Sequence, residues 1–178
     1  PLRWIAMMKA SIRNTLQHFS SHRMLAEYQD HFYSRAAAES DRLGVDNFAA
    51  SKSLVEKRRL FDRTWSGIRA SDPVADQDVS SLHVGDAFKV TTHVTLGGIA
   101  PDDVQVQIYH GPVGSNNTIT ESHSEVMDVV SENGNGEHVY EQIVRCTSTG
   151  RYGFTVRVCP NGRDWDTVIP GYMTWAGH

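Results

Sequence analysis

The 178-residue chain is 39% hydrophobic and 21% charged, with 14 Gly and 6 Pro, which excludes disordered, collagen-like and disulfide-scaffold classes. No apolar run reaches the ~20 residues that span a bilayer, and Pro1-Leu2-Arg3-Trp4-Ile5 lacks the apolar core of a signal peptide. The net charge of -4 conceals an asymmetry: residues 1–70 hold 12 Lys/Arg against 7 Asp/Glu, whereas residues 71–178 hold 5 against 14. Two compositionally different segments are joined. Because a helical pattern is already running at Pro1, the chain reads as a piece of something longer.

Trp4, Met8, Ile12 and Leu16 recur at i+4 spacing and predict a helix with a broad apolar stripe, ending near residues 17–19. Ser20 and Ser21 can cap a second helix, whose expected buried face is Met24, Leu25, Tyr28 and Phe32. Leu54, Phe61, Trp65 and Ile68 outline a third, solvated by Lys52, Lys57, Arg58, Arg59 and Arg63 and limited by Gly67. The run Lys57-Arg58-Arg59 is read as a solvated face, since Glu56 and Asp62 interrupt it and no RNA-binding motif accompanies it. Neither nucleic acid nor membrane is an expected partner. The three helices carry more apolar surface than they can bury among themselves, so a further packing partner is expected. The helical segment is taken as 1–70, a linker around Pro73 as 71–80, and a second domain as 81–178.

From Asp86 the period becomes two. Phe88, Val90, Thr92, Val94 and Leu96 alternate with Lys89, Thr91, His93 and Thr95 as a half-buried antiparallel strand. Val104, Val106 and Ile108 alternate with Gln105, Gln107 and Tyr109 as a second, closed by Gly111-Pro112. Further strands are expected at 118–130, 137–146, 151–159 and 171–175, with turns at 131–136 and 148–150. Tyr152, Phe154, Val156 and Val158 give the cleanest inner face. The predicted fold class is therefore α+β in two segments, helices followed by an all-β immunoglobulin-like sandwich, with a closed barrel as the alternative. Cys146 and Cys159 flank an expected last hairpin without facing each other, and are read as reduced intracellular thiols.

Little of the sequence carries chemistry. The nine histidines are scattered without metal-ligand spacing and are read as exposed polar residues. No G-x-S-x-G, Walker loop or G-x-G-x-x-G is present, and Asp164 and Asp166 are read as a solvated loop rather than a glycosidase pair. No catalytic, cofactor-binding or metal-ligating residue is assigned. Trp165, Tyr172 and Trp175 are the candidate glucan-binding residues, because exposed rings near the end of a sandwich can stack on sugar faces. The competing reading packs Tyr172 and Trp175 into the core or the domain junction.

The stretches Pro1-x-x-Trp4-x-x-x-Met8-Lys9-x-Ser11-Ile12 and Phe19-Ser20-Ser21-x-Arg23-Met24-x-x-Glu27-Tyr28 resemble the end of the C-terminal lobe of α-glucan phosphorylases, the glycogen and maltodextrin phosphorylase relatives. Val84-Gly85-Asp86, Val94-Thr95-Leu96-Gly97-Gly98, Pro101-Asp102-Asp103-Val104, Tyr109-His110-Gly111-Pro112 and Gly153-Phe154-Thr155-Val156-Arg157-Val158 are similar to the extra C-terminal domain of the bacterial and archaeal branch. The resemblance implies a cytoplasmic parent enzyme with two Rossmann-like lobes, pyridoxal phosphate on a lysine, and phosphorolysis of α-1,4-glucan to glucose 1-phosphate. It implies that this chain is the non-catalytic C-terminal fragment, with the upstream lobes as partner. Lys9, Lys52, Lys57 and Lys89 do not stand in the sequence setting of the family's cofactor lysine, so no catalytic residue is carried over. The sandwich is then structural; the alternatives are a carbohydrate-binding module that tethers the enzyme to α-glucan, or a module for homo-oligomeric assembly.

Overall fold

The computed structural model describes residues 1–79, 82–133, 136–147, 151–167 and 171–177, apart from the side chains of Gln17, Asp166 and Thr167. The chain forms two compact units, Pro1–Lys57 and Arg58–His178. It is α+β: helices first, then two antiparallel sheets.

In the first unit, α1 spans Leu2–His18 and stops where the apolar spacing lapses. The Ser20 hydroxyl accepts from the Arg23 amide and caps α2, Ser21–Tyr28, as its position predicts. A π-helical turn, Gln29–Tyr33, leads into α3, Ser34–Thr64. The helical backbone breaks at residues 45–48, where Asp46, Asn47 and Phe48 all have positive φ. Asp and Asn tolerate that region and Phe does not, so Phe48 bears most of the strain. The Ser51 hydroxyl donates to the Leu43 carbonyl and the Lys52 ammonium to that of Asn47, each at 2.9 Å, tying the break together. The expected buried face of α2 is exposed: Met24, Leu25, Tyr28 and Phe32 retain 43–61% of their accessible surface. The reason is geometric, since α2 has only eight residues and its aromatics meet the adjoining turn, Tyr28 against Phe32 and Tyr33, rather than a second layer. The α1 stripe is uncovered too, with Trp4 64% exposed.

The second unit begins with the end of α3, where Phe61 is fully buried. After a 3-10 turn, Trp65–Gly67, come β1 (Arg69–Ala70) and β2 (Val74–Ala75), both antiparallel to β3 (Ala87–Thr95). Within the stretch expected as a linker, Val74–Ala75 pairs with β3, and the second compact unit begins at Arg58. Pro73 is tolerated because it falls between the two short edge strands, where no ladder bond needs its missing N–H.

The remaining strands are β4 (Val104–Pro112), β5 (His123–Val126), β6 (Asp128–Glu132), β7 (Glu137–Arg145), β8 (Tyr152–Pro160) and β9 (Thr174–Trp175). One sheet runs β1-β3-β7-β6, with β2 also on β3, and the other runs β5-β4-β8-β9. Val90, Val94, Val106, Ile108, Val144, Val156 and Val158 are buried between them, and Phe88 and Phe154 meet at 5.6 Å. Three sequence expectations change here. The strand expected over 118–130 divides into β5 in one sheet and β6 in the other, pivoting at buried Met127, whose amide donates to the Val106 carbonyl. β7 and β8 also lie in different sheets, so Cys146 and Cys159 do not flank a hairpin. The turns read over 131–136 and 148–150 include residues 134–135 and 148–150, which lie outside the described residues. Where a loop was expected around Asp164, a short helix, α4 (Arg163–Thr167), forms.

Truncating Phe61 opens a cavity in the second unit, whereas Ile12 is 52% exposed. Phe61→Ala is expected to lower stability by about 3–5 kcal/mol, and Ile12→Ala to leave it within about 0.5 kcal/mol. Urea unfolding followed by tryptophan fluorescence tests both.

Candidate functional site

The three aromatic residues singled out from sequence do not share one surface. Trp165, on α4, is buried, 4.7 Å from the Phe61 ring and 5.8 Å from Tyr172. Phe61 and Tyr172 also pack on Trp65, at 5.2 and 5.4 Å, which completes a four-ring cluster. The Tyr172 hydroxyl donates to the Asp62 carboxylate, and burial followed by that bond raises its pKa. Trp165 thus serves packing, with Tyr172 half-buried beside it.

Trp175 lies elsewhere, on the outward face of the β5-β4-β8-β9 sheet. Alternation along the strands puts Gln105, Gln107 and Tyr109 of β4 and Thr155, Arg157 and Cys159 of β8 on that face, opposite the buried valines. Register then aligns Gln107, Arg157 and Trp175 in one cross-strand row. The Tyr109 and Trp175 rings stand 5.4 Å apart at 88°, and the Arg157 guanidinium lies 5.6 and 5.7 Å from their centroids. Arg157 Nε donates to Gln107 Oε1 at 3.0 Å and its Nη2 to Ser124 Oγ at 3.2 Å. Gln107 donates to Gln105, and Gln105 to Asn161. An open depression of about 460 Å³ is lined by Tyr109, Thr118, Ile119, Thr155, Arg157 and Trp175.

Gly111 explains how Thr118 and Ile119 reach that depression. It pairs with Gly153 across β4 and β8, and a Cβ at Gly111 would collide with the Glu121 carbonyl. The segment 113–122 can therefore fold back over the glycine pair, fastened by the Val113–Ile119 bridge and by Thr120 N–H donating to the Pro112 carbonyl. Gly111 is thus a point of close approach, and with Pro112 it closes β4 where the sequence predicts the strand to end.

A second depression, about 420 Å³, lies beside β5 and the end of β7 and is lined by His110, His123, Ser124, Glu125, Ile143, Arg145 and Thr147. His110 is buried, contrary to the expectation of exposed histidines, because it continues the inward series Val104, Val106, Ile108 by one more step. His138 is buried for the same reason, in register with Tyr140 and Val144. His110 Nδ1 and the Tyr152 hydroxyl share a hydrogen bond of 2.8 Å. Its Nε2 lies 3.4 Å from Glu125 Oε1 without an aligned hydrogen bond. Burial lowers the His110 pKa, opposed by the smaller pull of Glu125. Among the described residues no three His, Cys, Asp or Glu side chains converge as a metal site, and no helix is long and apolar enough to cross a membrane.

Comparison with known proteins places this geometry in context. Residues 65–177 match the family described as "Glycogen phosphorylase C-terminal domain". The chain belongs to that family. It is 36% identical over 109 residues to the maltodextrin phosphorylase of Thermococcus litoralis, covering 61% of this chain and 12% of that protein. It is 27% identical over 164 residues to the glycogen phosphorylases of Mycobacterium bovis and Mycobacterium tuberculosis, covering 90% of this chain and 18% of theirs. The chain spans less than a fifth of the length of these curated relatives. No solved structure matches it.

A phosphorylase parent implies pyridoxal phosphate, and the lysines of this family member do not fit it. A Schiff-base lysine needs a desolvated or cation-flanked amine facing a phosphate cradle. Lys89 is instead paired with Glu141 at 3.1 Å, Lys52 donates to a backbone carbonyl, Lys9 is exposed on α1, and Lys57 on α3 is only half-buried. No catalytic step is assigned to these residues.

The lowered His110 pKa means that the folded domain holds the neutral imidazole while the unfolded chain takes up a proton near the ordinary value of 6.5. Its contribution to stability is complete above that value and is lost as pH falls through the folded pKa. Urea midpoints measured from about pH 7.5 down to about pH 5.5 should fall, and His110→Gln should flatten that part of the profile.

Proposed function

We propose that this chain is the non-catalytic C-terminal part of a cytoplasmic α-glucan phosphorylase, whose upstream lobes carry pyridoxal phosphate and phosphorolyse α-1,4-glucan to glucose 1-phosphate. What carries the reading is the family match over residues 65–177 in relatives named for maltodextrin and glycogen, of which the chain covers less than a fifth. The first unit supplies helices that pack on the preceding lobe. In support, Trp4, Met7, Met8 and Ile12 line an apolar depression on α1 and remain about half exposed or more. An apolar stripe of that kind on a soluble helix is ordinarily covered. The second unit is read as an immunoglobulin-like sandwich with a structural role, closed by its own aromatic cluster.

The purified 178-residue chain should release no glucose 1-phosphate from maltoheptaose and phosphate, whereas the parent chain should; phosphate-dependent release by the fragment alone would overturn the assignment. Hydrogen exchange should open residues 1–35 well before 86–158, with light scattering rising with concentration as uncovered stripes associate. Equally slow exchange of both regions in a strictly monomeric sample would remove the case for a missing lobe.

A further inference from the structure

The two outward sheet faces of the second unit differ in kind. The outward face of the β1-β3-β7-β6 sheet carries two charge pairs, Lys89 with Glu141 and His93 beside Glu137, among Thr91, Val139 and Ile143. The outward face of the other sheet is neutral except for Arg157, and its polar groups form a chain of amides: Asn161, Gln105, Gln107, then the guanidinium and Ser124. Beside that chain stand Tyr109 and Trp175, rings at right angles that form a corner rather than a packed stack.

We infer that this corner, Tyr109–Arg157–Trp175, takes a short run of α-linked glucose units. The identity of the sugar rests on the phosphorylase reading above; the chemistry of the corner does not. A pyranose has apolar C–H faces and a rim of hydroxyls, so it needs a ring to lie on and neutral or cationic donors at its edge. Trp175 and Tyr109 supply the rings. Arg157 supplies the donors, and its two hydrogen bonds to Gln107 and Ser124 already fix the guanidinium plane, so little side-chain entropy remains to be lost on binding. Thr118 and Ile119, carried in over Gly111, wall the far side, and the depression is open enough for a chain to pass through. A neutral polymer also suits a face without a carboxylate among Gln105, Gln107, Tyr109, Thr155, Arg157 and Trp175.

The test uses the whole 178-residue chain. In native gels containing glycogen its migration should be retarded, and in gels containing the β-linked glucan laminarin it should not. In an NMR titration with maltoheptaose, the indole N–H of Trp175 should shift while those of Trp65 and Trp165 stay still. Trp175→Ala and Arg157→Gln should each weaken binding roughly tenfold. Should either variant unfold, the wild-type titration decides alone. No retardation, equal retardation by laminarin, or a shift at Trp165 instead of Trp175 overturns the proposal. It also falls if the Trp175 signal answers only to added upstream lobes, which would make the corner an intramolecular interface. Phosphorolysis of maltoheptaose by the parent is assayed in parallel. Activity without a Trp175 shift sinks the corner alone, and absence of that activity sinks the phosphorylase reading itself.

Discussion

Phe61 has no exposed surface although it sits on a helix whose surrounding positions are largely charged, and the second unit is arranged around that burial. Its ring meets Trp65 one turn on, Trp165 on α4 and Tyr172 before β9, which brings the end of α3 together with residues about a hundred positions later in the chain. Aromatic pairs at such spacing add to the area they bury. The cluster fixes where α3 ends and β1 begins, and it holds Tyr172 against the end of α3. Asp62 is drawn in as acceptor for the Tyr172 hydroxyl, with Arg58 at 4.0 Å on its other side. The arrangement carries a cost, since the buried Trp65 Nε1 has no hydrogen-bond partner among the described residues.

The turn after Trp65 lies against the end of β3 at Gly97. A Cβ on Gly97 would stand 3.2 Å from the Gly67 carbonyl carbon, and Gly97 itself has φ +60. Gly67 was legible from sequence as a helix limit. That Gly97, thirty residues on, lets the β3 end of the sheet approach this turn was not, because the contact joins distant parts of the chain. The same separation divides the rest of the molecule. Strands β3, β4, β7 and β8 were legible because period-two alternation is local and survives in Phe88, Val90, Val94, Val106, Ile108, Val156 and Val158. The split of 118–130 at Met127 was not, because nothing local distinguishes a strand that changes sheets from one that bends.

Histidine 110 shows where the local signal was available and unused. The alternation that ends at Tyr109 in the sequence reading continues one residue further, and that step alone puts the imidazole inside. The candidate site was harder to see. Trp175 stood out as an aromatic, but Tyr109 and Arg157 carried no signal individually. They become a site only when β4, β8 and β9 register Gln107, Arg157 and Trp175 in one row. The competing sequence reading packed Tyr172 and Trp175 together, yet it is Trp165 that joins Tyr172 in the packing cluster while Trp175 faces outward, because α4 and β9 belong to different surroundings.

A structural role and a ligand-binding face are compatible in this unit because they use opposite sides of the same strands. The inward residues beneath the row, Val106, Ile108, Val156 and Val158, are aliphatic and fully buried, so their positions are set by the core and are insensitive to what the outer face carries. The outward residues inherit that rigidity. Arg157 stands between Val156 and Val158, both without exposed surface, and Gln107 stands between Val106 and Ile108, so the backbone beneath the row has little room to move. Exposed ion pairs such as Lys89–Glu141 contribute little to stability and could be exchanged for other polar residues at small cost. A row in which an arginine is fastened by two uncharged partners and flanked by two rings is less readily replaced, because each member holds the next in place. That difference between a dispensable polar surface and an interdependent one is the physical reason to look for a ligand on the β5-β4-β8-β9 face and not on the other.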